Sequence, residues 1–101
     1  MITATTQRAP AVAGMFYPGD AASLRDELAS CLAGATAPTP APGLLKALIV
    51  PHAGYVYSGG TAGKGYALLA QHADRIRRVV LLGPCHRVAV NGLAAPTVQA
   101  F

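Results

Sequence analysis

The stretch from Lys46 to His86 limits what this chain can fold into more than any other. It holds two short apolar runs, each cut off by a proline and a histidine. The first is Lys46-Ala47-Leu48-Ile49-Val50, ended by Pro51-His52-Ala53-Gly54, and the second is Arg77-Arg78-Val79-Val80-Leu81-Leu82, ended by Gly83-Pro84-Cys85-His86. Neither run alternates apolar with polar residues, a pattern that suits strands covered on both faces of a parallel sheet. The intervening segment is long enough for a crossover helix, and such crossovers are right-handed. The expectation is an α/β fold, a βαβ unit over 46–86 in a mostly parallel sheet flanked by helices. His52 and His86 would then leave the same sheet edge, where open α/β sheets place their ligands.

At 101 residues, with a little over half of them apolar, the chain is expected to form one small globular domain. Eight basic residues against four acidic ones give a net charge of +4. Aromatic residues do not interleave with the basic ones, so no nucleic-acid partner is expected. No apolar run is long enough to span a membrane, and the start Met1-Ile2-Thr3-Ala4-Thr5-Thr6-Gln7-Arg8 lacks the pattern of a secretory signal. A cytoplasmic location follows, in which Cys31 and Cys85 stay as free thiols.

In chain order, prolines and a glycine break up residues 8–18, which contain Phe16 and Tyr17. This is expected to be an extended arm packed on the body. A helix over about 21–33 follows from Leu24, Leu28, Cys31 and Leu32, which fall on one face. Ser23 and Asp26 resemble a capping box, while Asp20 offers a cap one turn earlier. Gly34 is a natural stop. Cys31 lies on the apolar face and reads as a small hydrophobe. Three prolines make 35–43 an exposed, polyproline-like linker.

Residues 52–60 read as a glycine-rich loop carrying Tyr55 and Tyr57, followed by a helix from about Thr61 to His72. Ala62, Tyr66, Leu69 and Ala70 would face the sheet, and Gly63 and Gly65 would allow close packing against strands. The run Gly59-Gly60-Thr61-Ala62-Gly63-Lys64-Gly65 imitates a phosphate loop, but Ser58 and Gly65 stand where that pattern needs a glycine and a hydroxyl residue. Two parallel strands leave unpaired edges. The chain is therefore expected to be the N-terminal part of a larger domain or a truncated product.

His52 and His86 are good donors for iron, zinc or copper. Spacing alone does not make them a site, because no third donor stands out. Asp26, Glu27 and Asp74 belong to the helices, and Cys85 adjoins His86 too closely in sequence. His72 suits the end of a helix.

Three segments in order carry a family resemblance: Ala11-Val12-Ala13-Gly14-Met15-Phe16-Tyr17-Pro18, Pro51-His52-Ala53-Gly54-Tyr55-Val56-Tyr57-Ser58-Gly59, and Leu81-Leu82-Gly83-Pro84-Cys85-His86. They resemble the N-terminal signatures of the Memo family, known in bacteria and archaea as ammeMemoRadiSam system protein B. The resemblance runs from about Arg8 to Leu93. It implies an α/β fold similar to class III extradiol dioxygenases, which use non-haem ferrous iron, with copper as the second candidate.

By motif position, the resemblance makes His52 and His86 the first two metal ligands. Tyr55 and Tyr57 line the pocket, with Gly54 and Cys85 beside them. The third ligand, a cysteine in Memo proteins or a carboxylate in the dioxygenases, belongs to a later part of such chains. Serine is usual where this chain has Cys85. The resemblance also implies a small-molecule substrate, and association with a radical SAM enzyme and an AMME-type protein. A dioxygenase-like oxidoreductase is thus one expectation. The others are a non-catalytic module binding a protein or peptide in the same cleft, and an inactive fragment.

Overall fold

The computed structural model describes residues 6–34 and 43–101. The expected polyproline linker therefore lies, apart from Gly43, outside the described residues, as do the first five residues. The described residues contain two α-helices, α1 (Ala21–Ala33) and α2 (Tyr55–Ala70). The chain divides into two compact units. One is Val12–Arg77, and the other joins the segment ending at Ala11 to Arg78–Phe101.

The expected βαβ sheet is not formed. Among the described residues there is no strand, and pairing is limited to two isolated bridges, Gln7 with Ala100 and Ala13 with Tyr17. Residues 46–50 and 77–82 lack the ladder of bonds that makes a strand. The apolar runs misled because side-chain type reports what a segment would tolerate on its faces. It does not report whether a neighbouring backbone pairs with it. Val79, Val80, Leu81 and Leu82 are instead 73–85% exposed. Within the first run, Leu48 and Val50 are half-buried while Ile49 is 97% exposed, the two-residue alternation of extended backbone.

Helix α1 starts where Asp20 stops the chain from continuing in extended form. The Asp20 backbone is extended (φ −104°, ψ 149°), and its carboxylate accepts a 2.8 Å bond from the Ser23 N–H. Asp20 is therefore the cap, one turn ahead of the Ser23–Asp26 alternative. Gly34 closes the helix in right-handed conformation, φ −72°, and its N–H donates to the Ser30 carbonyl.

The bond from the Ser23 amide holds the Asp20 carboxyl below its ordinary 3.8. A lowered folded value means that the carboxylate's contribution is complete above 3.8 and is lost as pH falls through the folded value. Asp20→Asn keeps an acceptor at the cap but cannot titrate. Far-UV circular dichroism against pH should therefore show a smaller acid-induced loss of helix in Asp20→Asn than in the wild type, and superimposable curves would remove the cap's role.

Helix α2 begins six residues ahead of the expected Thr61. Gly54 is its cap residue, and Tyr55 N–H, one of the donors a helix start leaves without an internal partner, donates to the Phe16 carbonyl at 2.8 Å. Ser58 is buried, and its hydroxyl donates to the Ala53 carbonyl at 2.8 Å. The glycine-rich run is thus helix interior, which also disposes of the phosphate-loop likeness.

Its glycines are there for contact. A Cβ on Gly63 would run into the Cys31 carbonyl, and one on Gly59 would sit 2.8 Å from the Cys31 sulfur. Four residues apart, these two glycines form one groove that takes α1 at Cys31. On another side, a Cβ on Gly65 would come within 2.7 Å of Val50 Cγ1 and 3.1 Å of Leu48 Cδ1. The extended run 48–50 therefore lies against α2 without belonging to a sheet.

The segment expected as an extended arm contains a tight loop. Met15 and Phe16 N–H both donate to the Val12 carbonyl, at 3.1 and 2.9 Å, and Gly14 N–H donates to the Tyr17 carbonyl at 2.7 Å. Gly14 has φ 79°, the left-handed region where glycine has no steric penalty. In the other unit, Arg8 N–H donates to the Ala100 carbonyl at 3.0 Å and Gln99 N–H to the Thr6 carbonyl at 2.9 Å.

Candidate functional site

The 12–17 loop, α1, the turn 51–53 and α2 line a partly open cavity of about 320 Å³, within the usual range for small-molecule pockets. The loop gives it Phe16 and Tyr17, α1 gives Leu28, Cys31 and Leu32, and the turn gives His52. Helix α2 contributes Tyr55, Ser58 and Tyr66, with its glycine groove at Gly59 and Gly63. Each residue arrives through a local cause already described. The Val12 turn sets Phe16 and Tyr17, the bond from Tyr55 N–H to the Phe16 carbonyl ties loop to helix, and the glycine groove brings Cys31 to the wall.

The Tyr17 and Tyr55 rings are 5.7 Å apart between centroids and tilted by 41°, a favourable aromatic arrangement. Burial is the first cause that raises the Tyr55 phenol above its ordinary 10.0. Tyr17, Cys31, Glu27 and Tyr66 add to it, because each would oppose a negative charge at that position. Tyr55 is accordingly a neutral phenol, able to donate a hydrogen bond to a guest.

Of the residues assigned to the site from sequence, His52 and Tyr55 are brought together on this cavity. Gly54 backs onto the Phe16 backbone, 3.6 Å from where its Cβ would be. Tyr57 is 85% exposed on the first turn of α2. Cys85 and His86 are exposed and belong to the other unit, His86 at a bend. Among the described residues, no group of three or more His, Cys, Asp or Glu comes together to hold a metal ion. Histidine donors suit iron or copper, but two imidazoles do not complete a coordination set.

Sequence reasoning did not find Phe16, Tyr17, Cys31 or Tyr66 as cavity residues. Phe16 and Tyr17 read as packing, and Tyr66 as a sheet-facing residue. The available signal was the pair Gly59 and Gly63, whose spacing marks a helix face built for close approach. Among the described residues, no helix is long and apolar enough to cross a membrane.

A small-molecule-sized cavity with a histidine at its rim, carried on two glycine-packed helices, defines only a broad class of helical chains with a pocket. The family comparison is specific where that class is broad. The family model described as Memo-like protein matches residues 8–101. A MEMO1 family protein of Methanopyrus kandleri is 36% identical over 101 residues, covering 94% of this chain and 35% of that protein. The protein memo-1 homolog of Caenorhabditis elegans is 38% identical over 94 residues, covering 93% of this chain and 25% of its own. A MEMO1 family protein of Aquifex aeolicus is 43% identical over 89 residues, covering 88% and 29%. No solved structure matches. The chain belongs to the Memo-like family, and it spans about a third of the length of the curated relatives it matches.

Proposed function

We propose that this chain carries the histidine half of a Memo-type metal centre, with His52 and His86 each supplying one imidazole to a non-haem iron or copper ion. The cavity beside His52 would receive the small molecule that such a centre serves. Family membership over residues 8–101 supports this reading, because each histidine falls within one of the segments that carry the family's signatures. The single structural observation in its favour is His52 at the rim of an aromatic-walled cavity. Two imidazoles are a donor pair, so the proposal is one of binding and not of a completed coordination set. The association with a radical SAM enzyme and an AMME-type protein belongs to the same proposal.

Calorimetric titration of the metal-free chain with ferrous iron under anaerobic conditions, and separately with cupric ion, tests it. One ion should bind per chain, and His52→Ala and His86→Ala should each weaken binding by at least about tenfold, since loss of an outer-shell partner alone costs that much. Binding that is absent, or indifferent to both substitutions, contradicts the proposal.

A further inference from the structure

The chemistry of the cavity wall says more about its guest than its position beside His52 does. Four aromatic rings line it, Phe16, Tyr17, Tyr55 and Tyr66. Among the described residues, no Lys, Arg, Asp or Glu does so. We infer that this cavity binds an apolar cation, a tertiary or quaternary alkylammonium group, against the faces of Phe16, Tyr17, Tyr55 and Tyr66. The inference goes beyond the metal reading and stands without it, because it concerns the rings and not the imidazole.

The faces of aromatic rings are electron-rich and attract cations within about 6 Å of the centroid. With no Lys, Arg, Asp or Glu on the wall among the described residues, no such charge offsets or overrides that attraction. An anion is disfavoured, since among the described residues no Lys or Arg lines the wall to pair with it. A primary ammonium is disfavoured for a different reason. Its three N–H donors need three acceptors once water is removed, and the wall offers mostly aromatic and aliphatic groups. Alkylation removes that demand and adds apolar surface suited to Leu28 and Leu32. The rings are also accessible, with Phe16 47% and Tyr66 41% exposed.

The test uses the whole chain with metal removed by chelation, so that its outcome is separate from that of the metal titration. Choline is the probe, and its neutral carbon analogue, with tert-butyl in place of trimethylammonium, is the control. Binding is followed through the ring-proton signals of the tyrosines. Choline should shift them saturably and bind at least about fivefold more tightly than the analogue. Tyr55→Phe, which keeps the ring, should bind choline within about twofold of wild type, whereas Phe16→Leu and Tyr55→Leu should each lose about fivefold or more. Phe16→Leu keeps the backbone carbonyl that receives Tyr55 N–H and so guards against simple misfolding. Equal binding of the neutral analogue would make this a plain apolar pocket and overturn the inference. Unmoved ring signals, or a Phe16→Leu protein that is folded and binds choline normally, would also overturn it.

Discussion

Replacing Gly63 with alanine should destabilise the Val12–Arg77 unit, while the same replacement at Gly60, three residues earlier on the same helix, should stabilise it. The two glycines have the same intrinsic cost in a helix, about 1 kcal/mol relative to alanine, so helix propensity alone predicts a gain at both. Their surroundings differ. A Cβ at Gly60 meets nothing within 4 Å, whereas one at Gly63 collides with the Cys31 carbonyl and lies 2.9 Å from its carbon. Backbone cannot rotate away as a side chain does, so α1 has to move off α2. Overpacking of this kind costs about 1–3 kcal/mol, which exceeds the propensity gain over most of that range.

Gly59 is intermediate, because its obstacle is the Cys31 sulfur, an atom that a change of rotamer can move. Thermal unfolding followed by circular dichroism should therefore rank Gly60→Ala above wild type and Gly63→Ala below it, with Gly59→Ala above Gly63→Ala. No apolar side chain among the described residues is fully buried. The α1–α2 contact thus carries an unusual share of what holds this unit together, and the loss at Gly63 should be easy to measure.

The same residues explain what was legible beforehand. Helix α1 announces itself, because Leu24, Leu28, Cys31 and Leu32 recur on one face and Asp20 stands at the start with a side chain able to accept the Ser23 N–H. The start of α2 was hidden, since Gly54, Gly59 and Gly60 are the residues that ordinarily end helices. What makes 55–60 helical is non-local: the Phe16 carbonyl receives Tyr55 N–H, and Cys31 fills the groove that Gly59 and Gly63 leave. Tertiary contact decides against local propensity there.

The strands failed for a related reason. Leu48, Val50 and Val79–Leu82 have the composition of buried strands, but a strand is a relation between two backbones, and composition records only one of them. For the site, His52 and Tyr55 were legible as chemistry-bearing residues in a family-like motif. The ring wall was not, because Phe16 and Tyr17 come from a loop whose fold depends on the left-handed turn at Gly14.

The second large effect concerns the two histidines together. If His52 and His86 hold one ion, removing either leaves the other without a partner on the metal, and the second removal has little left to disturb. Losses from residues acting as a unit do not add, and a double-mutant cycle measures that failure directly. The decisive measurement is the metal affinity of His52→Ala, His86→Ala and the double variant against wild type, at fixed pH and salt. A shared ion predicts that the double variant binds no more than a few-fold more weakly than the weaker single variant. Losses that simply multiply, as for two separate sites, would contradict a common centre.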